Sequence, residues 1–163
     1  DISCEAVAEV IMHAPALNTL LLRGFLFEPT RVSDAGGAVI ARAVAQRPAA
    51  GRGVAAAFAV PGIPHSPFAL DLDYQQVGCS TAMEMARCRG SWSRLSLFNT
   101  EVSTMGAMAL ANAFRQQPGS AGSVQLNIAQ CRVGAGAVEL LKGVSFARLD
   151  SHGQRCHRAA AAT

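Results

Sequence analysis

Trp92-Ser-Arg-Leu95-Ser-Leu97-Phe-Asn-Thr100-Glu-Val102 is the stretch that decides the fold. Leu95 and Leu97 alternate with Arg94 and Ser96, the pattern of a strand with one apolar face. Phe98 to Glu101 then break the alternation with a polar turn, and Val102 returns to an apolar, β-branched side chain. Ser103 and Thr104 follow, residue types that accept the unpaired amide hydrogens of a helix's first turn. Gly106, Ala107 and Leu110 then carry a small-residue helical pattern. The stretch therefore predicts strand, turn and helix in immediate succession.

The same succession recurs, so the chain is first a repetition problem. One further copy is Ser123-Val-Gln-Leu126-Asn-Ile128-Ala-Gln-Cys131-Arg-Val133, and another is Pro67-Phe-Ala-Leu70-Asp-Leu72-Asp-Tyr-Gln75-Gln-Val77. The earliest is Leu17-Asn-Thr-Leu20-Leu-Leu22, with its valine at Val32, and Ile2 reads as the tail of a copy whose strand lies before residue 1. From the second strand apolar residue to the valine the interval is five residues in three copies and ten in the earliest, which implies an insertion around Phe25 to Pro29. Four residues past each anchor stand Ala6, Gly36, Thr81, Gly106 and Ala137; eight past stand Val10, Ile40, Met85, Leu110 and Leu141. Residues four apart share a helical face, so each helix is expected to present a small and a large contact on one stripe. Expected caps are Ser3, Ser33 or Asp34, Ser80 or Thr81, and Ser103 or Thr104, with Gly134 in the last copy; Pro48 and Pro118 mark helix ends. Anchor spacings of 30, 45, 25 and 31 residues are uneven, and residues 49–66, rich in Ala, Gly and Pro, read as an irregular insertion.

One strand–helix unit cannot bury both apolar faces by itself; stacked neighbours bury them as a continuous core. The strands then pair in parallel through right-handed crossovers, and because helices are wider than strands the stack curves. Leu20, Leu22, Leu70, Leu72, Leu95, Leu97, Leu126 and Ile128 are expected inside, with Val32, Val77, Val102 and Val133 closing the turns. Leu95-x-Leu97-x-x-Thr100-x-Val102-x-x-x-Gly106-Ala107-x-Ala109-Leu110 resembles the leucine-rich repeat of the ribonuclease-inhibitor type. The resemblance covers about residues 2–146 and departs from the pattern at Phe25, which stands where the family places Asn or Cys. Gln75, Thr100 and Cys131 stand at that place in the other copies. It implies an α/β fold, a right-handed solenoid or horseshoe with parallel strands on the concave face and helices on the convex face. Relatives with this repeat include ribonuclease inhibitor, the Ran GTPase-activating proteins and the ligand-sensing ends of NOD-like receptors, most of which bind proteins. On this reading residues 1–150 form the repeat domain and 151–163 a poorly ordered tail. Phe146-x-x-Leu149 begins one more strand whose next core position is Ser151. The absence of an initiator Met, the opening straight into a helix and the Ala-rich close read as a segment of a longer polypeptide, or a subunit of a large assembly.

The bulk composition narrows the function classes. Half of the 163 residues are hydrophobic and 15% are charged, enough for a core without disulfides or structural metal and far from a disordered composition. The net charge of +3 is modest, Lys142 is the only lysine, and Arg148, Arg155 and Arg158 form no aromatic-laced basic stripe, which argues against nucleic acid. Five cysteines, an odd number at irregular spacing, suit a reducing compartment and an intracellular, cytoplasmic setting. No apolar run reaches membrane-spanning length, and no signal sequence opens the chain.

The candidate site follows from the strand register. Residues between the strand leucines face the concave side, and those expected to bind a partner protein are Arg23, Asp71, Asp73, Tyr74, Arg94, Ser96, Phe98 and Asn127, with Tyr74, Arg94 and Phe98 as anchors. Asp71 and Asp73 share a face and read as two solvated acids, since no histidine or third acid stands level with them. His152, Cys156 and His157 are too few and too terminal for a zinc site, and Gly134-Ala-Gly136 lacks the third glycine and partner acid of a dinucleotide site. Met83, Met85, Met105 and Met108, and Cys4, Cys79 and Cys88, read as packing. The expectation is therefore a protein-binding or scaffold module with no catalysis, cofactor, metal or small-molecule substrate. The alternative is an enzyme regulator such as a GTPase-activating repeat protein, for which Arg23, Arg31 and Arg132 supply rim arginines. A small doubly wound α/β enzyme would also alternate strands and helices, but would not need the shared anchor-to-helix spacing.

Overall fold

The alternation around Leu95 becomes a strand, and the helix after Val102 forms where the small-residue pattern places it. The computed structural model describes residues 3–14, 16–24, 31–47, 67–88, 91–116 and 122–154. In chain order these form α1 (Cys4–His13), β1 (Thr19–Leu21), α2 (Asp34–Gln46), β2 (Phe68–Asp71) and α3 (Cys79–Arg87). There follow β3 (Trp92–Ser96), α4 (Thr104–Arg115), β4 (Gln125–Asn127), α5 (Ala135–Lys142) and β5 (Arg148–Asp150). The expected insertions around Phe25 to Pro29 and over 49–66, the prolines Pro48 and Pro118, and the chain from 155 onward lie outside the described residues.

All four strand pairings are parallel, and the strands lie in sequence order, β1 to β5, in one open sheet. The register sets Leu20, Leu70, Leu95, Leu126 and Leu149 in one line. The helices also meet in chain order, each against the next, which makes them a single layer. Leu70, Leu72, Leu95, Leu97, Leu126 and Ile128 are buried, as are Val32, Val77, Val102 and Val133 beneath the turns. Burying each such side chain stabilises the fold by roughly 1.5–3 kcal/mol. Leu20 and Leu22 are only partly buried, because β1 is an edge strand with a neighbour on one side.

The helical stripe holds in four copies and fails in the first. Gly36, Thr81, Gly106 and Ala137 are buried, with Ile40, Met85, Leu110 and Leu141 fully so. On α1, however, Ala6 is exposed and Val10 is 59% exposed, while Cys4 and Ile11 are buried. Among the described residues α1 packs against α2 and has no strand of its own beneath it, so the stripe that faces a strand in the other helices faces outward here. Close helix approach needs the paired glycines of α2: a Cβ on Gly36 would collide with Cys4 Sγ, and one on Gly37 with Thr81 Oγ1.

The helix starts correct part of the expected capping. Ser3 Oγ accepts from Ala6 N at 3.2 Å and Ser33 Oγ from Gly36 N at 3.1 Å, as expected. Neither Ser80 nor Thr81 caps α3, whose N-cap is Gly78 with no side chain to offer. The cap comes from the preceding unit: the Asp34 carboxylate accepts from Gly78 N at 2.7 Å, Ser80 N at 3.0 Å and Thr81 N at 2.8 Å. Asp34 lies two residues past its valine, and Cys79 and Thr104, at the same offset, also contact the start of the next helix. Thr104 Oγ1 accepts from Gly134 N at 2.9 Å, and Cys79 Sγ lies 2.8 Å from Ser103 Oγ. Each unit is thus stapled to the start of the next.

The turns after the strands are equally uniform. Tyr74, Asn99 and Gln130, each two residues past the last inward strand residue, adopt left-handed φ of 62°, 53° and 57°. Gly153 stands at the same offset after Ser151, with φ 61°. The next residue in each turn is the polar one noted in the sequence. Gln75 Nε2 donates to Leu22 O at 2.6 Å and its Oε1 accepts from Val32 N at 2.7 Å. Thr100 Oγ1 and Cys131 Sγ both reach Leu97 O, at 2.9 and 3.0 Å. Gln154 Nε2 donates to Ile128 O at 3.0 Å. The turn pattern therefore recurs through residue 154. Along the same edge the residue before each valine donates to the preceding valine's carbonyl: Gln76 to Val32, Glu101 to Val77 and Arg132 to Val102, at 3.1, 2.9 and 2.9 Å.

Candidate functional site

With helices on one face, the other face of the sheet is left to side chains at the alternate strand positions. The register aligns them in rows. One row is Thr19, Ala69, Arg94, Gln125 and Arg148; the next is Leu21, Asp71, Ser96, Asn127 and Asp150. Backbone bonds from Gly24 to Asp73, Tyr74 to Phe98, Asn99 to Ala129 and Gln130 to His152 carry the order one step further. All eight residues expected at the site come together on or beside this face.

They do not come together as a solvated surface. Asp71 is 1% exposed, Asp73 is buried and Ser96 is wholly buried. The expectation of two solvated acids is therefore wrong, because alternation assigns a face and says nothing of depth. Asp71 Oδ2 takes the Arg23 guanidinium, from Nε at 2.8 Å and Nη2 at 2.7 Å, while its Oδ1 accepts from Asp73 N at 3.2 Å. Asp73 Oδ1 accepts from Ser96 Oγ at 2.6 Å and Phe98 N at 2.8 Å. Asn127 Nδ2 donates to Ser96 Oγ at 3.2 Å, and its Oδ1 accepts from Ala129 N at 3.1 Å. A continuous polar strap thus crosses β1 to β4 with its short members sunk beneath longer neighbours. Burial raises the Asp73 carboxyl above the usual range, the Ser96 and Phe98 bonds oppose that shift, and the Asp71 carboxylate adds to it. Arg23 is raised above its ordinary value by its bond to Asp71.

What remains accessible is larger and more varied. Leu21 is 60% exposed and Tyr74 37%. The Tyr74 ring meets Phe98 edge-on with centroids 5.2 Å apart, a favourable aromatic geometry. The Arg23 and Arg94 side chains are about half exposed. No family model and no curated protein matches this chain.

Sequence reasoning passed over three residues that share these rows: Arg148, Asp150 and His152. The signal was present, since Arg148 stands immediately before Leu149 as Arg94 stands before Leu95 and Gln125 before Leu126. Assigning residues from 151 to a tail set aside only His152; Arg148 and Asp150 stand on the repeat side of that boundary. Of the rim arginines, Arg23 is held by Asp71 and Arg132 by Glu101 at 3.0 Å.

The remaining candidates fall into place as packing or away from it. Met85 is fully buried, but Met105 is 65% exposed and Met108 is exposed, on the outer side of α4 rather than in the core. Cys4, Cys88 and Cys131 are buried; burial, with Glu84 adding, pushes the Cys88 thiol up to about 11. Cys156 and His157 lie outside the described residues, among which no group of three or more His, Cys, Asp or Glu could hold a metal ion. No described helix is long and apolar enough to cross a membrane. One polar residue escaped notice entirely: Arg47, just past α2, is buried, bonds Leu17 O and lies 5.0 Å over the Phe68 ring.

Proposed function

We propose that this chain is a leucine-rich-repeat solenoid of ribonuclease-inhibitor type, and that it binds a partner protein through the concave face of its sheet as an intracellular binding or scaffold module. The observation that carries this reading is a strand face, five strands wide, that no described element covers, on which Leu21, Tyr74, Phe98 and Arg94 stand over a fixed polar strap. Aromatic and arginine side chains on a rigid base are the usual anchors of protein interfaces. The strap supports them without being offered itself, since its acids are already neutralised or hydrogen-bonded.

Strand order also favours binding over chemistry of the chain's own. Doubly wound enzymes place their ligand where the strand order reverses, and the order here runs from β1 to β5 without reversal. The recurring turn, with its left-handed residue and buried polar side chain, supports assignment to the repeat class.

The test is partner capture by the full chain from extract of its source cells, beside a variant carrying Tyr74→Ala and Phe98→Ala. A specific partner is expected, bound at least tenfold more weakly by the variant. Capture that survives the double substitution unchanged moves the interface off this face and ends the reading.

A further inference from the structure

We propose that the hollow between Arg94 and Arg148 receives a carboxylate side chain from an acidic segment of the partner protein. The inference rests on the concave-face reading and adds the chemistry of what is bound. Arg94, Gln125 and Arg148 stand side by side on β3, β4 and β5. Two strand spacings separate the arginine backbones, roughly 9–10 Å. Between them lies a hollow of about 140 Å³ walled by Arg94, Gln125, Asn127, Arg148 and Asp150. Leu95 and Leu126 form its floor. The space admits several waters or a short aliphatic stem ending in a carboxylate.

The charges of this face are unevenly spent. Its acids are engaged: Asp71 by Arg23 at 2.7 Å, Asp73 by Ser96 and Phe98, and Asp150 by His152. Its cations at the hollow are not. The Arg148 and Gln125 side chains have no hydrogen-bond or ion-pair partner among the described residues. Arg94 reaches only Asp71 Oδ2, at 3.9 Å, on an oxygen that Arg23 already holds at 2.7 Å. Two planar guanidinium forks facing one space match the two oxygens of a carboxylate. Asp150 in the wall selects for a single negative charge, since a phosphate would bring up to two against it. Tyr74 and Phe98 lie in the turns after β2 and β3 and do not line the hollow, so among the described residues no aromatic ring stands there to stack a nucleic-acid base.

The experiment is fluorescence anisotropy of labelled oligoglutamate, oligoglutamine and oligophosphoserine peptides titrated with the full chain at low ionic strength. Oligoglutamate is expected to bind, weakening as salt rises, while oligoglutamine does not. Arg94→Gln with Arg148→Gln is expected to weaken it about tenfold, and Arg94→Lys with Arg148→Lys to restore part of the loss. Both arginines are exposed, and an unchanged circular dichroism spectrum would verify that the variants fold. No oligoglutamate binding, binding unchanged in the glutamine variant, or tighter arginine-dependent binding of the phosphopeptide overturns the proposal. Its failure separates from that of the concave-face reading. Partner capture lost with Tyr74→Ala and Phe98→Ala but untouched by the arginine variant, with no peptide binding, leaves the face and removes the hollow. Arginine-dependent peptide binding with capture indifferent to the aromatic pair does the reverse.

Discussion

Asn99 turns the chain after β3 at φ 53°, in a conformation that is costly for most side chains and mild for Asn. Tyr74 and Gln130 hold the same place in neighbouring turns at greater steric cost, and Gly153 holds it at none. Asn99→Val is therefore expected to destabilise the chain by about 1–2 kcal/mol, and Asn99→Gly by clearly less, since glycine adopts this conformation without steric cost, measured by urea unfolding. Equal stabilities for the two variants would mean that the turn is not left-handed in solution. This conformation was not legible in the sequence, because Tyr, Asn and Gln share no chemistry that announces it. The residue after each was legible: Gln75, Thr100 and Cys131 stand where a bond to turn backbone is needed, and all three make one. Gln154 stands at the same offset and was missed, since the strand before it was recognised from Phe146 and Leu149 but Ser151 in a leucine's place gave no reason to carry the pattern on into the turn.

At the scale of the element, capping shows how far local rules reach. Ser3 and Ser33 cap their own helices, as neighbouring sequence predicts. The start of α3 is served by Asp34, 44 residues before Gly78, a pairing that no local pattern contains. Partial burial pushes the Asp34 carboxyl up, but the N–H groups of Thr81, Ser80 and Gly78 and the Thr81 hydroxyl outweigh it and hold it down at about 2, from 3.8. Because the folded value is depressed, its contribution is present above about pH 4 and is lost as pH falls through 3.8 toward 2. Asp34→Asn is expected to cost on the order of 1–2 kcal/mol at neutral pH and to flatten the fall in stability over that acid window. Unfolding midpoints measured from pH 2 to 6 check this, and parallel profiles for the two proteins would remove Asp34 from the cap. The open face shows a similar limit. Period-two alternation put Asp71, Asp73 and Ser96 on the right side of the sheet, but their depth depends on Arg23 and Asn127 from other strands.

Across the whole molecule, contacts pass from each strand and helix to the next in line. The order of elements and the inward leucines were legible from spacing alone, since both follow from a pattern that repeats. The bare outer stripe of α1 was not, because a stripe is buried only if something lies beneath it. In such an array a buried defect spreads to its immediate neighbours. Leu97→Ala, at a position with no exposure, is expected to cost about 2–5 kcal/mol. Hydrogen exchange should show protection lost across β2, β3 and β4 together, and loss confined to β3 would mean that the units unfold independently. The staples between units also differ in kind: a carboxylate on amides at Asp34, a thiol beside a hydroxyl at Cys79, a hydroxyl on one amide at Thr104. Each joint is therefore keyed to its own pair of neighbours. A shuffled version of this protein, with every unit intact and two exchanged, would keep its leucines in line and still leave locks facing the wrong keys.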